Sequence, residues 1–207
     1  MSCEVQPCFA SSHVSFFYVL HFSAFWWIAG DCLGFRRARG VSPSSGKPYR
    51  FTTFLRHNNT IPYKEQVERF CGKGFALWDV VRSCHRPGSL DSDISRDVPN
   101  DIQGFCRQHT SVRRIVLANG ASGSKFFAKH FRGWLDSGEL VPNSDPYSQA
   151  AFSKWCTNED DEEESSRRIV LVSALAVSPA AATYSYEEKR DFWETHVYAP
   201  GLRDQKR

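Results

Sequence analysis

The chain has 207 residues and a mass of 23.6 kDa, the length of one domain with or without a tail. A hydrophobic fraction of 41% and a charged fraction of 24% exclude a fully disordered chain, and 16 Phe with 6 Trp supply bulky apolar area for a core. Six acids stand together at 159–164; without them 26 basic side chains face 17 acidic ones, a balance that suits a polyanionic partner or a solvated basic surface.

Seven cysteines (Cys3, Cys8, Cys32, Cys71, Cys84, Cys106, Cys156) are odd in number and widely spaced, with no Cys-x-x-Cys pair, and the seven histidines are as scattered. This argues against a disulfide framework and a zinc or iron-sulfur site, implies no metal and no cofactor, and suits a reducing interior, nuclear or cytoplasmic. Residues 14–30, VSFFYVLHFSAFWWIAG, are apolar but short for a bilayer, are interrupted by His21 and Ser23, and lack the basic flank of a secretory signal. The expectation is a buried, packed segment in a soluble protein, with no membrane partner.

In chain order, Phe25, Ile28, Ala29 and Leu33 mark one face of a helix over 24–33 stopped by Gly34, and RRARGVSPSSGKP after it reads as an exposed basic loop. A helix is expected over 63–71, burying Val67, Phe70 and Cys71. FALWDVV, 75–81, is predicted as a strand opening into the turn-rich RSCHRPGSLDS. Asn100 is expected to cap a helix with Ile102, Phe105, Cys106 and His109 on one face. RIVLA, 114–118, has the continuous apolar run of a central parallel strand, and Asn119-Gly120 turns it into a helix over 122–131. Residues 133–166, which hold the acidic run, read as an irregular, flexible insertion. RIVLVSAL, 168–175, is a second buried strand leading to the loop AVSPAAATYS, and Ser185 with Glu188 makes the capping box of a last helix that buries Phe192.

Strand, loop and helix alternate, so the expected class is α/β, with a mostly parallel central sheet and helices on both faces. Ligands of such sheets sit in the crevice at the carboxyl ends of the strands. The loops after FALWDVV, RIVLAN and RIVLVSAL are therefore expected to meet. They carry Asp79, Ser83, His85, Arg86, Ser89 and Asp91; Asn119, Gly120 and Ser122; and Ser178, Pro179 and three alanines. These are hydrogen-bonding groups and surfaces of close approach, without a nucleophile. Each also has an ordinary role as a turn, cap or packing residue.

GFALWDVVRSCHRPGSLDSDI, VPNDI, RRIVLANG and SPAAATYSYEEKRDFW together resemble the hypoxanthine-DNA (deoxyinosine) glycosylase group of the uracil-DNA glycosylase superfamily, over residues 17–193 less the acidic insertion. The resemblance implies a three-layer α/β/α sandwich and a monofunctional enzyme of base-excision repair that removes hypoxanthine or uracil from DNA, acting as a monomer. Carried over by residue, it places Asp79, Ser83, Cys84, Arg86, Ser89 and Asn119 around the flipped base and Ser178, Pro179, Ala180, Ala181 and Ala182 against the DNA backbone. Such an enzyme extracts its nucleotide from the stack and breaks the N-glycosidic bond by electrostatics and a positioned water.

Two stretches depart from the family pattern. Residues 1–16 lack its opening strand and Gly-Ser-aromatic/Met-Pro turn, a divergent or truncated amino terminus, possessing only MSCEVQPCFASSHVSF; and where the family reads Tyr-Tyr-Gly-His-Pro-x-Asn-x-Phe-Trp this chain reads FYVLHFSAFW. Ser23 thus occupies the catalytic position of the asparagine that orients water, with a shorter side chain and one donor. Two readings follow: a DNA glycosylase, or a catalytically inactive nucleic-acid-binding protein that keeps the basic groove. A small-molecule hydrolase finds no Gly-x-Ser-x-Gly elbow or phosphate-binding glycine loop to support it. The glycosylase-like domain is expected over 17–200, with 201–207 a basic tail.

Overall fold

The computed structural model describes residues 24–35, 61–87, 93–156, 167–178 and 181–205. They fall into two compact units, one built from Leu77 to Ala174 and the other from the described residues up to Ala76 together with those from Leu175 onward.

The first unit is a mixed α/β structure. It contains strands β1 (Val81–His85), β2 (Ser95–Pro99), β3 (Arg114–Leu117), β4 (Leu140–Pro142) and β5 (Ile169–Ser173) and helices α3 (Ile102–Gln108), α4 (Gly120–His130), α5 (Arg132–Asp136) and α6 (Pro146–Ala151). β3, β5 and β4 form a parallel three-stranded sheet in that order, Arg114 opposite Val170 and Leu140 opposite Ile169. Parallel strands need crossovers. Here α4 and α5 lie in the chain between β3 and β4, and α6 lies between β4 and β5. Phe127, Phe152 and Leu171 are fully buried with Trp134, Leu135 and Leu140 between them, so helix and sheet share one apolar core.

Both parallel strands expected from RIVLA and RIVLVSAL are present, but their ranks differ from expectation. Among the described residues β3 is an edge strand, with only Leu117 buried, and β5 takes the centre with four of its five residues buried.

FALWDVV is not a strand. Pairing begins only at Val81, and β1 runs to His85 in an antiparallel ribbon with β2, a two-stranded sheet of its own. The physical reason lies in the partners of its backbone. The carbonyls of Asp79 and Val80 accept from the side chain and the N–H of Asn100, at 2.8 and 2.9 Å, so this stretch satisfies itself without a ladder while Trp78 and Val80 pack on the core. Asn100 is spent closing that ribbon. The helix cap passes to Asp101, whose Oδ1 accepts from the N–H of Gly104 at 2.9 Å, and of the expected helix face only Ile102 and Cys106 are buried.

The stretch expected to be irregular is ordered from 132 to 156. α5, β4, α6 and a 3₁₀ turn, Ser153–Trp155, follow one another because Trp134, Leu135, Leu140 and Phe152 bury their side chains. The acidic run at 159–164 lies outside the described residues.

In the second unit α1 (Phe25–Leu33) and α2 (Tyr63–Cys71) stand where periodicity places them, and Gly34 ends α1 with φ 78, a left-handed conformation that glycine adopts without a Cβ clash. The buried face of α2 is Gln66 and Phe70, with Gln66 donating to the Ile61 carbonyl at 2.8 Å; of the residues expected inside, Val67 is half-buried and Cys71 is exposed. α7 (Tyr186–Trp193) opens on the expected capping box of Ser185 and Glu188 and runs through a wide turn, Glu194–Tyr198, into α8 (Ala199–Asp204). Part of the expected basic tail is therefore helix. Phe25 meets Phe70 and Trp193 edge-on with ring centroids 5.7 Å apart, and Trp193 donates to the Leu175 carbonyl at 2.9 Å. Among the described residues no helix is long and apolar enough to cross a membrane.

Candidate functional site

β3 ends at Leu117 and α4 begins at Gly120, so Asn119 stands exposed at the carboxyl end of a parallel strand. Asn119 holds the cap position of α4 yet makes no capping bond through its side chain, which leaves its amide for other partners. A Cβ at Gly123 would come within 3.2 Å of the Asn119 Cβ, so a side chain there would press on the turn by a few tenths of an ångström.

Behind Asn119 the sheet edge is closed by a buried polar network. Ser124 Oγ donates to the Gly120 carbonyl at 3.0 Å and lies 2.7 Å from Ser173 Oγ, and the Ser173 N–H donates to Ser148 Oγ at 2.8 Å. Asp145 caps α6 through the N–H groups of Tyr147 and Ser148 and accepts from Asn143 Nδ2 at 2.8 Å. Three small hydroxyls thereby tie α4, β5 and α6 into one rigid edge under the Asn119 turn. Among them Asn143, Asp145 and Ser148 were not legible as site residues, although Asp145-Pro146 is the signature of a helix start and would have located this third loop.

Asp79 lies in the same unit at the root of the ribbon. It is half-buried, and that burial raises the carboxyl above its ordinary range. Ser83 is half-buried on β1, whereas Cys84 and Arg86 are exposed. Ser178 and Ala181 belong to the second unit, where the Ala181 N–H donates to the Ser178 carbonyl at 3.1 Å and the buried Lys189 amine donates to the Ala181 carbonyl at 2.6 Å. Ser23, Ser89, Pro179 and Ala180 lie outside the described residues. Asp79, Ser83, Arg86 and Asn119 are thus brought into one unit, and the serine-alanine loop into the other.

A cavity of about 240 Å³ opens at the opposite, amino-terminal edge of the sheet, lined by Cys106, Arg107, Trp134, Glu139, Arg167 and Ile169. The Arg167 guanidinium is committed there to the carbonyls of Cys106 at 2.7 Å, Val112 at 2.6 Å and His109 at 3.3 Å, and so closes the carboxyl end of α3.

One ionic cluster had no sequence signal, because its members are 32 and 33 residues apart. Asp97 on β2 accepts from Lys129 Nζ at 2.6 and 2.8 Å and contacts His130 Nε2, with its side chain 5% exposed. The Lys129 hydrogen bond first, and His130 second, hold the Asp97 carboxyl down to about 2. A carboxyl lowered in the fold contributes stability above its unfolded value of 3.8 and loses it as pH falls toward about 2. Asp97→Asn should therefore lower the urea midpoint at pH 5 and converge on the parent by pH 2; a constant gap across that window would show that ionisation of Asp97 is not what the contact uses.

Among the described residues no cluster of three or more His, Cys, Asp or Glu side chains could hold a metal ion. No family model, curated protein or solved structure matches the chain.

Proposed function

We propose that this protein is a DNA glycosylase of the uracil-DNA glycosylase type, a three-layer α/β/α enzyme that hydrolyses the N-glycosidic bond of a deaminated base, hypoxanthine or uracil. The resemblance of LWDVVRSCHRPGSLDS to that family supports it. The observation that carries it is Asn119, an uncommitted amide at the carboxyl end of a parallel strand, held on a rigid edge by Ser124, Ser148 and Ser173.

An amide presents one donor and one acceptor side by side. Deaminated bases present the matching pair: a keto oxygen that accepts from Nδ2 and the neighbouring ring N–H that donates to Oδ1. In the transition state negative charge grows on the departing base, so the Nδ2–H donor strengthens its bond as the glycosidic bond lengthens. Asp79 would serve the other reacting fragment: an ionised carboxylate stabilises the positive charge that develops on the sugar. The basic excess outside the acidic run would hold phosphates.

Duplexes carrying one deoxyinosine or one uracil, incubated with the protein and then treated with alkali, should break at the lesion. No breaks above a blank would remove the enzymatic reading. Ser23 favours a second reading, a silent DNA-binding protein, because its hydroxyl replaces the water-orienting amide of the related family; it predicts salt-dependent duplex binding with every base retained.

A further inference from the structure

We propose that the cavity at the amino-terminal edge of the parallel sheet binds a small organic carboxylate, drawn by the charge of Arg167 and covered by the apolar side chains of Trp134 and Ile169. This site is independent of base removal.

Charge defines the ligand. Three charged side chains line the cavity, Arg107, Glu139 and Arg167. Two of them answer each other, because a Glu139 carboxylate oxygen lies 3.9 Å from Arg107 Nη2 while the other accepts from Trp134 Nε1 at 3.0 Å. Neither counts as a free charge. The half-buried Arg167 guanidinium, by contrast, meets only the carbonyls of Cys106, His109 and Val112, which occupy three of its five N–H donors and bring no net charge. Its Nε is buried and has no hydrogen-bond partner. One positive charge in the wall is left without a counter-ion.

The rest of the wall does not supply one. Burial pushes the Cys106 thiol up while the nearby Arg167 charge pulls it down, and the balance is upward from 9.0, so the thiol is neutral at pH 7. Trp134 and Ile169, each 3% exposed, add an indole and an aliphatic side chain. A cation set among apolar side chains attracts an anion more strongly than one in open water, because the low dielectric beside it screens less. An inorganic anion would face the apolar wall with its hydration shell stripped, whereas an acid with a hydrocarbon body suits both parts of the lining. The space of about 240 Å³ lies below the range of drug-sized pockets, about 300–1,000 Å³, so the acid is small.

The test titrates benzoate into the full chain by calorimetry at pH 7 and constant ionic strength, beside benzamide, which has the same ring without the charge, and inorganic phosphate. Benzoate should saturate one site and bind at least about tenfold more tightly than either. Glu139→Gln keeps an acceptor for Trp134 and removes the acid of the wall, so it should tighten benzoate by about threefold. Arg167→Gln should abolish saturation. Lys154→Gln, which removes an exposed charge outside the lining, should leave the affinity unchanged. Absence of saturation by benzoate, equal binding of benzamide or phosphate, a Glu139→Gln affinity no tighter than the parent's, or a loss in Lys154→Gln equal to that in Arg167→Gln would overturn the proposal. Arg167→Gln also releases the carbonyls at the end of α3; should that variant fail to fold, benzamide and Glu139→Gln decide alone.

Discussion

Asp79→Asn should make the protein more stable at pH 7 and a poorer catalyst. Burial is what raises the Asp79 carboxyl. A carboxyl raised in the fold contributes most below its unfolded value of 3.8, and that contribution is lost as pH rises through the raised folded value. At neutral pH the fold therefore carries an ionised group in a site that disfavours it. Asparagine keeps the shape and removes the charge, so Tm should rise at pH 7, and the gain should vanish near pH 3. Base release should fall on the order of 100-fold in kcat/KM, as expected when one preorganised electrostatic group is lost. Melting curves across pH and initial rates on a deoxyinosine or uracil duplex check both halves. A loss of stability at pH 7 would mean that a cation partners Asp79, and unchanged release would remove it from the site.

That opposition of stability and activity separates a site residue from a scaffold residue, and the sequence alone does not make the distinction. Helices were legible where their ends are chemical: Gly34 stops α1, and Ser185 with Glu188 opens α7. The strands β3 and β5 were legible as uninterrupted apolar runs. FALWDVV has the same apolar look but not the same fate, because Asn100, about twenty residues downstream, takes its carbonyls. The ribbon was hidden for the converse reason: VRSCH and SRDVP are polar, and three of the five residues in each strand are exposed. β4 has only three residues, too few for a period to show. The position of Asn119 at the carboxyl end of β3 was legible from its place after an apolar run, whereas Asp97 with Lys129 and His130 is assembled by packing across the fold and leaves no local pattern.

Phe127→Ala should strongly destabilise the first unit. The ring is fully buried on α4, 4.7 Å from Phe131 and 6.3 Å from Trp134, in the cluster that also holds Leu117 of β3 and Leu171 of β5. Removing it deletes the transfer energy of a whole ring and leaves a cavity that helices anchored at both ends fill only in part. The cost of such a truncation is about 3–5 kcal/mol, roughly 6–20 °C in Tm here. Phe126, one position along the same helix, is only half-buried, with the Lys129 amine 6.0 Å from its ring centre. Phe126→Ala should lower Tm far less, because its loss opens toward solvent and creates no closed void. Equal losses at 126 and 127 would mean that the face of α4 against the sheet is misassigned, and with it the placement of Asn119 at the head of that helix. Under conditions where Phe127→Ala is still folded, each molecule of a glycosylase should release base at the parent rate, since the ring belongs to the apolar core and acts through the population of the folded state.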